Sequence, residues 1–315
     1  MNALRFSSWS TLLRTLATAS LLCAATPAQS ASLSAVDDTG QTITLPRPAQ
    51  RVLTLSPHTT ELVFAAGAGD RIVGTVAYSD YPPAARAIPR VGDNKAFDLE
   101  RIAAMQPDLA VVWRHGNAQG QLAVLAKLGI PVFYSDPRRL DQLPFTLERL
   151  GVLVGTPDRA RQAAAVYRAR LAALRQTYAA RPPVVVFYQV WEQPLMTLNG
   201  AHMVSDVVTA CGGRNLFAAE ALLVPTVSTE AVVAGNPEVI VTASMGATRA
   251  ARPLADLQHW KRWNGMTAVQ RDNLFTIDGD LINRQGPRIL EAAEILCQQL
   301  EMARSRRPGS KAQPH

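Results

Sequence analysis

The chain has 315 residues, 48% of them hydrophobic and 18% charged, and 32 lysines and arginines against 25 acids give a formal net charge of +7. That excess is terminal: taking Arg5, Arg14, Arg304, Arg306, Arg307 and Lys311 from 32 leaves 26 bases against 25 acids. A nucleic-acid-binding protein carries its positive charge as a stripe on the folded body, so that class is excluded.

In chain order, residues 1–30 read as a cleavable secretory signal. Arg5 and Arg14 precede the apolar run Leu16 to Ala25, and Ala28-Gln29-Ser30 has the small residues of a peptidase site. The run is too short to span a bilayer, and Leu22 before Cys23 is too bulky for a lipid-attachment motif. The expectation is an exported protein located in the periplasm.

Residues 31–156 read as an α/β lobe. Strand RVLTL (51–55) ends at Ser56-Pro57, an N-cap with proline in the first helical position, and a helix runs on past Glu61 to Phe64. A glycine turn (67–69), a strand (72–76) and the Pro- and Tyr-rich loop YSDYPPAARAIPRVGD follow. Then comes DLERIAAMQPDLAVVW (98–113): a capped short helix, a Pro-acid turn and an apolar run of strand character. A helix near 121–128 and the strand IPVFY (130–134) complete the pattern of a parallel sheet.

Residues 157–181 have no glycine or proline between Pro157 and Arg181 and carry Ala163, Val166, Tyr167, Leu171 and Leu174 at three- and four-residue steps. This predicts one long helix joining two lobes.

Residues 182–303 repeat the first lobe's pattern. A strand (184–190), a helix (203–211) and the stop Gly212-Gly213 lead to STEAVVAGNPEVIVTA (228–243). Aligned without a gap on 98–113, it places Glu230 on Glu100 and Pro237 on Pro107. One unit used twice predicts two similar lobes with a cleft between them. A helix (254–263), a strand (274–277) and a terminal helix (287–303) follow, and residues 304–315 read as a disordered basic tail. The predicted fold class is therefore α/β, two Rossmann-like lobes with mainly parallel sheets joined by one long α-helix.

Beyond the signal only Cys211 and Cys297 remain, and in an oxidising compartment these are most simply a disulfide, the alternative being two buried thiols. The histidines (58, 115, 202, 259, 315) are scattered singly, which argues against a metal-ion carrier. Ser56, His58 and Glu61 are nucleophile, base and acid types, but they lie along one helix start, and no G-x-S-x-G or H-E-x-x-H motif occurs. No catalytic residue and no cofactor are predicted, and an exported enzyme is kept as the weaker alternative.

The blocks RVLTLSPHTTELVFAAG, YSDYPPAARAIPRVGD, DLERIAAMQPDLAVVWRHGN, LGIPVF, CGGRNLF and GPRILEAAEILC, in this order, carry a resemblance. The chain resembles the substrate-binding proteins of ABC importers whose lobes are joined by one long helix, which serve cobalamin, haem and ferric siderophores. Among them it is most similar to the cobalamin-binding group. The resemblance implies a monomer that captures cobalamin and docks onto a permease dimer at the inner membrane, with one acid on each lobe, Glu100 and Glu230, meeting the two permease subunits.

It further implies that Tyr78, Trp113, Asp280 and Arg284 contact the ligand. His58 and Trp191 are candidates from location, His58 being expected to face the cleft. The cobalamin relatives place further aromatics where this chain has Asn94, Met196, Val224 and Leu281. A haem carrier would use Tyr78 or Tyr81 as an axial ligand, and a siderophore carrier would need basic groups such as Arg114, Arg284 and Arg288.

Overall fold

The computed structural model describes residues 32–93, 95–117, 119–244 and 257–309. The segment expected to be a signal, Asn94, the start of the helix expected at 254–263 and the last residues of the expected tail lie outside the described residues.

The chain opens with an antiparallel hairpin of β1 (Leu33–Val36) and β2 (Thr42–Leu45). The Asp37 carboxylate closes its turn by accepting from the Thr39 and Gln41 amides, and it also accepts from the amide of Tyr134 at 3.2 Å.

The first lobe follows as β3 (Val52–Thr54), α1 (Pro57–Ala65), β4 (Ile72–Gly74), α2 (Leu99–Ala104), β5 (Leu109–Trp113), α3 (Gln119–Lys127), β6 (Val132–Ser135) and α4 (Leu143–Leu153). Its sheet is parallel throughout, in the order β4-β3-β5-β6. Then α5 (Pro157–Tyr178) runs for 22 residues, about 33 Å at 1.5 Å per residue.

The second lobe contains β7 (Val184–Gln189), α6 (Met203–Ala210), β8 (Gly213–Asn215), α7 (Thr229–Gly235), β9 (Val239–Ser244), α8 (Thr267–Gln270), β10 (Leu274–Asp278), α9 (Gly279–Ile282) and α10 (Ile289–Ser305). Its sheet is also parallel, in the order β8-β7-β9-β10. Strand for strand the two lobes share one topology. The duplicated sequence unit is α2-β5 in the first lobe and α7-β9 in the second, the third strand of each sheet.

Parallel strands covered on both faces read as continuous apolar runs, and these do. Alternate residues face opposite ways: Val52, Leu109, Val111 and Phe133 belong to the core on the side of α5, and Leu53, Leu55, Ala110 and Val112 to an outer core. In the second lobe Val184, Val186, Val239 and Val241 face the α5 side, while Phe187 and Ile240 pack outward with Trp260. The α5-side core is one cluster running through both lobes, with Tyr167, Leu171 and Leu174 of the helix in its middle. Helix α4 crosses α5 closely at Gly151, where an added Cβ would lie 2.2 Å from the Ala160 methyl.

Cys211 at the end of α6 and Cys297 on α10 form a disulfide, with Cα atoms 4.7 Å apart. Residues 304–309, expected to belong to a disordered tail, are ordered. Helix α10 continues to Ser305, and Arg304 donates to the carbonyls of Pro182, Cys211 and Gly212. Arg306 donates to the carbonyls of Arg271 and Asp272, and Arg307 to both Glu238 carboxylate oxygens at 2.8 Å. These arginines satisfy carbonyls left at helix and strand ends, which a run of bases in sequence does not reveal.

Candidate functional site

The first-lobe wall begins at the end of β3. Ser56 caps α1 in a reciprocal box: its hydroxyl accepts from the Thr59 amide, and the Thr59 hydroxyl accepts from the Ser56 amide at 3.1 Å. The cap fixes the first turns of α1 and with them His58 and Glu61. His58 does not stand open at the cleft. It is 3% exposed, with Nδ1 3.1 Å from the Ser56 hydroxyl and its ring edge-on to Trp113 at 5.5 Å. Burial, then the positive charge of Arg284, pushes its pKa down to about 3, so the imidazole is neutral at any physiological pH.

Trp113 ends β5. Its amide donates to the Asn117 side-chain oxygen at 2.7 Å, and the Asn117 amide group donates to the Leu55 carbonyl at 2.7 Å. Asn117 thus ties the ends of β3 and β5 together and holds Trp113 beside His58. Its only sequence signal is an asparagine in the turn after a strand.

The loop after β4 carries Tyr78 and Tyr81, 49% and 42% exposed. Tyr78 has a left-handed backbone (φ 65°), a conformation that tyrosine adopts at a cost and that clusters at functional loops. Arg90 organises the loop from inside, donating to the carbonyls of Ser79, Ala85 and Ile88.

The second-lobe wall follows β10. Asp278 caps α9 by accepting from the Asp280 amide at 2.8 Å. Gly279 is required here, because a Cβ would lie 2.2 Å from the Ser244 carbonyl oxygen. The turn aims Asp280, Arg284 and Arg288 at the first lobe. Arg284 donates to Asp280 at 2.7 Å, to Glu61 at 3.0 Å and to the Tyr78 carbonyl at 3.1 Å. Arg288 grips the same Glu61 carboxylate with two bonds, 2.9 and 2.7 Å, and its guanidinium lies 3.9 Å from the centre of the Tyr81 ring. Five of the expected residues, His58, Tyr78, Trp113, Asp280 and Arg284, therefore come together where the lobes meet, with Glu61, Tyr81 and Arg288 added.

Trp191 and Met196 form a separate unit of the second lobe. They pair across an antiparallel bridge, and Met196 bridges on to Thr226. Trp191 is 47% exposed, with its indole N–H on the Gln193 carbonyl, and Val224 nearby in the same ladder region is 37% exposed. Behind them the Tyr188 hydroxyl bonds the Asn283 side chain at 3.2 Å, tying the end of β7 to the turn that carries Arg284.

Glu100 and Glu230 occupy the same place in their lobes, the second residue of α2 and α7. Asp98 and Ser228 cap those helices, accepting from the Arg101 and Ala231 amides. Both glutamates are exposed, and neither has an ion pair with another described residue.

A separate hollow of about 430 Å³ beside the hairpin is lined by Asp37, Asp38, Asp136, Gln142, Phe145 and Arg149. Its carboxylates are spent internally: Asp38 pairs with Arg149 and accepts from the Asp136 amide, and burial raises its pKa. Among the described residues no group of three or more His, Cys, Asp or Glu side chains is placed to hold a metal ion.

The assembled site offers the exposed rings of Tyr78 and Tyr81 and the partly exposed Asp280 carboxylate beside its guanidinium partners, with the neutral His58 imidazole buried behind them. It suits a broad ligand with an apolar face and a hydrogen-bonding edge. A family model described as periplasmic binding protein matches residues 52–281. The vitamin B12-binding protein of Photorhabdus laumondii is 41% identical over 250 residues, covering 79% of this chain and 87% of the relative. The crystal structure of the periplasmic vitamin B12 binding protein BtuF of Vibrio cholerae matches with a TM-score of 0.73 at 37% identity, over 82% of this chain and 98% of that one. A periplasmic heme binding protein from Pseudomonas aeruginosa matches with a TM-score of 0.65 at 25% identity, over 84% of this chain and 94% of that one.

Proposed function

The chain belongs to the periplasmic binding protein family, and we propose that it is a non-catalytic receptor that captures cobalamin between its two lobes. The observation that carries this reading is the convergence of Tyr78 and Trp113 from one lobe with Asp280 and Arg284 from the other. That convergence occurs in a chain whose vitamin B12-binding relatives match over most of their length.

Trp113 supplies a flat apolar face, while Asp280 and Arg284 supply an acceptor and donors for the amide-bearing rim of a corrin. Trp191, Val224 and Met196 form the opposing rim. Met196 and Val224 stand where the resemblance implies aromatics, and Trp191 is the aromatic paired beside Met196.

The receptor would work in the periplasm after export and removal of residues 1–30. Delivery would run through Glu100 and Glu230: two acids at equivalent positions of two similar lobes match a twofold-symmetric permease. The single shared core and the α5 strut favour small lobe movements over wide hinge closure.

Competitive dialysis tests the ligand directly. The protein is equilibrated with equal cyanocobalamin and hemin, and its visible spectrum is read after exhaustive washing. Retained cobalamin supports the reading. Retained hemin alone moves the ligand to haem, and a colourless protein removes both.

A further inference from the structure

Two buried carboxylates join the lobes, and the fold relates them to each other. Glu61 lies on α1, the helix after the first strand of lobe one, and Asp206 lies on α6, the helix after the first strand of lobe two. Each takes its partners from the segment after the last strand of the opposite lobe. For Glu61 these are Arg284 and Arg288, which follow β10. For Asp206 they are Arg139 at 3.0 Å and the Leu140 amide at 2.8 Å, which follow β6.

Both carboxylates are shielded, with side chains 1% and 5% exposed. The helices that carry them meet different ends of the strut. Asp206 faces Arg175 at 3.6 Å near the C-terminal end of α5, while α1 runs into Gly67, whose carbonyl meets Arg159 near the N-terminal end.

We propose that Glu61 and Asp206 are a matched pair of interlobe clamps, one device used once in each direction, which set the width of the cleft before any ligand arrives. Neither residue is among the docking acids or the proposed ligand contacts themselves. The two clamps differ in strength. Glu61 holds two guanidiniums of low exposure through three short bonds, whereas the arginines at Asp206 are 54% and 39% exposed. Charge pairs shielded from water keep more of their attraction, so Glu61 dominates and Asp206 trims. The Glu61 clamp also occupies three of the donors of Arg284 and Arg288 that would otherwise point into an open cleft. Glu61 therefore acts as a positioning residue for them.

The inference stands apart from the identity of the ligand, and its test uses none. Spin labels are placed on the exposed surface of each lobe through Leu128→Cys and Leu222→Cys, without reductant so that Cys211–Cys297 stays closed. The interlobe distance distribution is then measured by pulsed electron paramagnetic resonance. The parent should give one narrow distance. Glu61→Ala should broaden and shift it strongly, Asp206→Ala less, and the two together more than either. Arg288→Met removes two of the three bonds of the main clamp from the opposite lobe and should shift the distribution in the same direction as Glu61→Ala, though less far, since Arg284 still holds the carboxylate. Folded variants, with native circular dichroism, whose distances superpose on the parent would overturn the proposal. Loss of folding in all three single variants would also overturn it, since the groups would then be simple fold determinants.

Discussion

Glu61 of the first lobe and Arg288 of the second are joined by two bonds, 2.9 and 2.7 Å, in a carboxylate–guanidinium fork that water barely reaches. Their positions are 227 residues apart in the chain, yet Glu61 in the middle of α1 and Arg288 at the N-cap of α10 are brought together where the lobes meet. Truncating one partner leaves the other charged and half-sealed from solvent, which is the costly half of such an interaction. Glu61→Ala should therefore lower unfolding free energy by about 2–5 kcal/mol in urea melts. The combined Glu61→Met and Arg288→Met replacement should cost clearly less than the sum of its parts. Strict additivity in that double-mutant cycle would show that the fork is not coupled.

The disulfide closes a loop with a sequence separation of 86, and the chain-entropy model assigns such a closure about 4–5 kcal/mol. Replacing Cys211 and Cys297 together by serine should lower the denaturation midpoint without changing the native fold. Intact-mass analysis of exported protein after alkylation should find no free thiol, and labelling of both cysteines would refute the staple.

Acid should weaken the protein through its buried histidines. His58 is held down to about 3 and His202 to about 4, both by burial first and a nearby arginine second. The unfolded chain, with ordinary histidines near 6.5, binds more protons in this window. Their stabilising contribution is thus complete above pH 6.5 and is lost as pH falls toward 3, on the order of several kcal/mol. Asp38, raised by burial, partly offsets this at the acid end. Unfolding free energy measured between pH 7 and 4 should fall for the parent and fall less for His58→Gln. A slope unchanged by that substitution would show that His58 does not titrate as its burial implies.

Reversing the two equivalent acids separates docking from capture. Glu100→Arg combined with Glu230→Arg should abolish ligand delivery in a reconstituted importer while leaving the affinity of the free protein unchanged. Both residues are exposed on capped helices, so stability should move by less than about 1 kcal/mol. Normal delivery by the double variant would remove both glutamates from the docking surface.

The architecture was largely legible because it rests on local patterns. The caps at Ser56, Asp98 and Ser228, the apolar strand runs and the glycine-free stretch of α5 are all written within a few neighbouring residues. The hairpin was not, since two four-residue strands carry too short an alternation to stand out. At the site, Tyr78 and Trp113 were visible as residue types in matching blocks, and Asp280 and Arg284 just ahead of the last block. Glu61 reads as an ordinary helical acid until Arg284 and Arg288 are brought to it from the other end of the chain. Asp206 and Asn117 were hidden for the same reason: their meaning lies in partners supplied by tertiary structure. The three arginines at 304, 306 and 307 look like a solvated tail and instead cover carbonyl oxygens and Glu238.

The central claim is that a corrinoid is captured by residues of both lobes, and calorimetric titration of the mature protein with cyanocobalamin tests it most directly. The account predicts saturable one-to-one binding tighter than micromolar, weakened by Trp113→Ala in one lobe and by Asp280→Ala in the other. Absence of cobalamin binding, or tight binding indifferent to both substitutions, would contradict it.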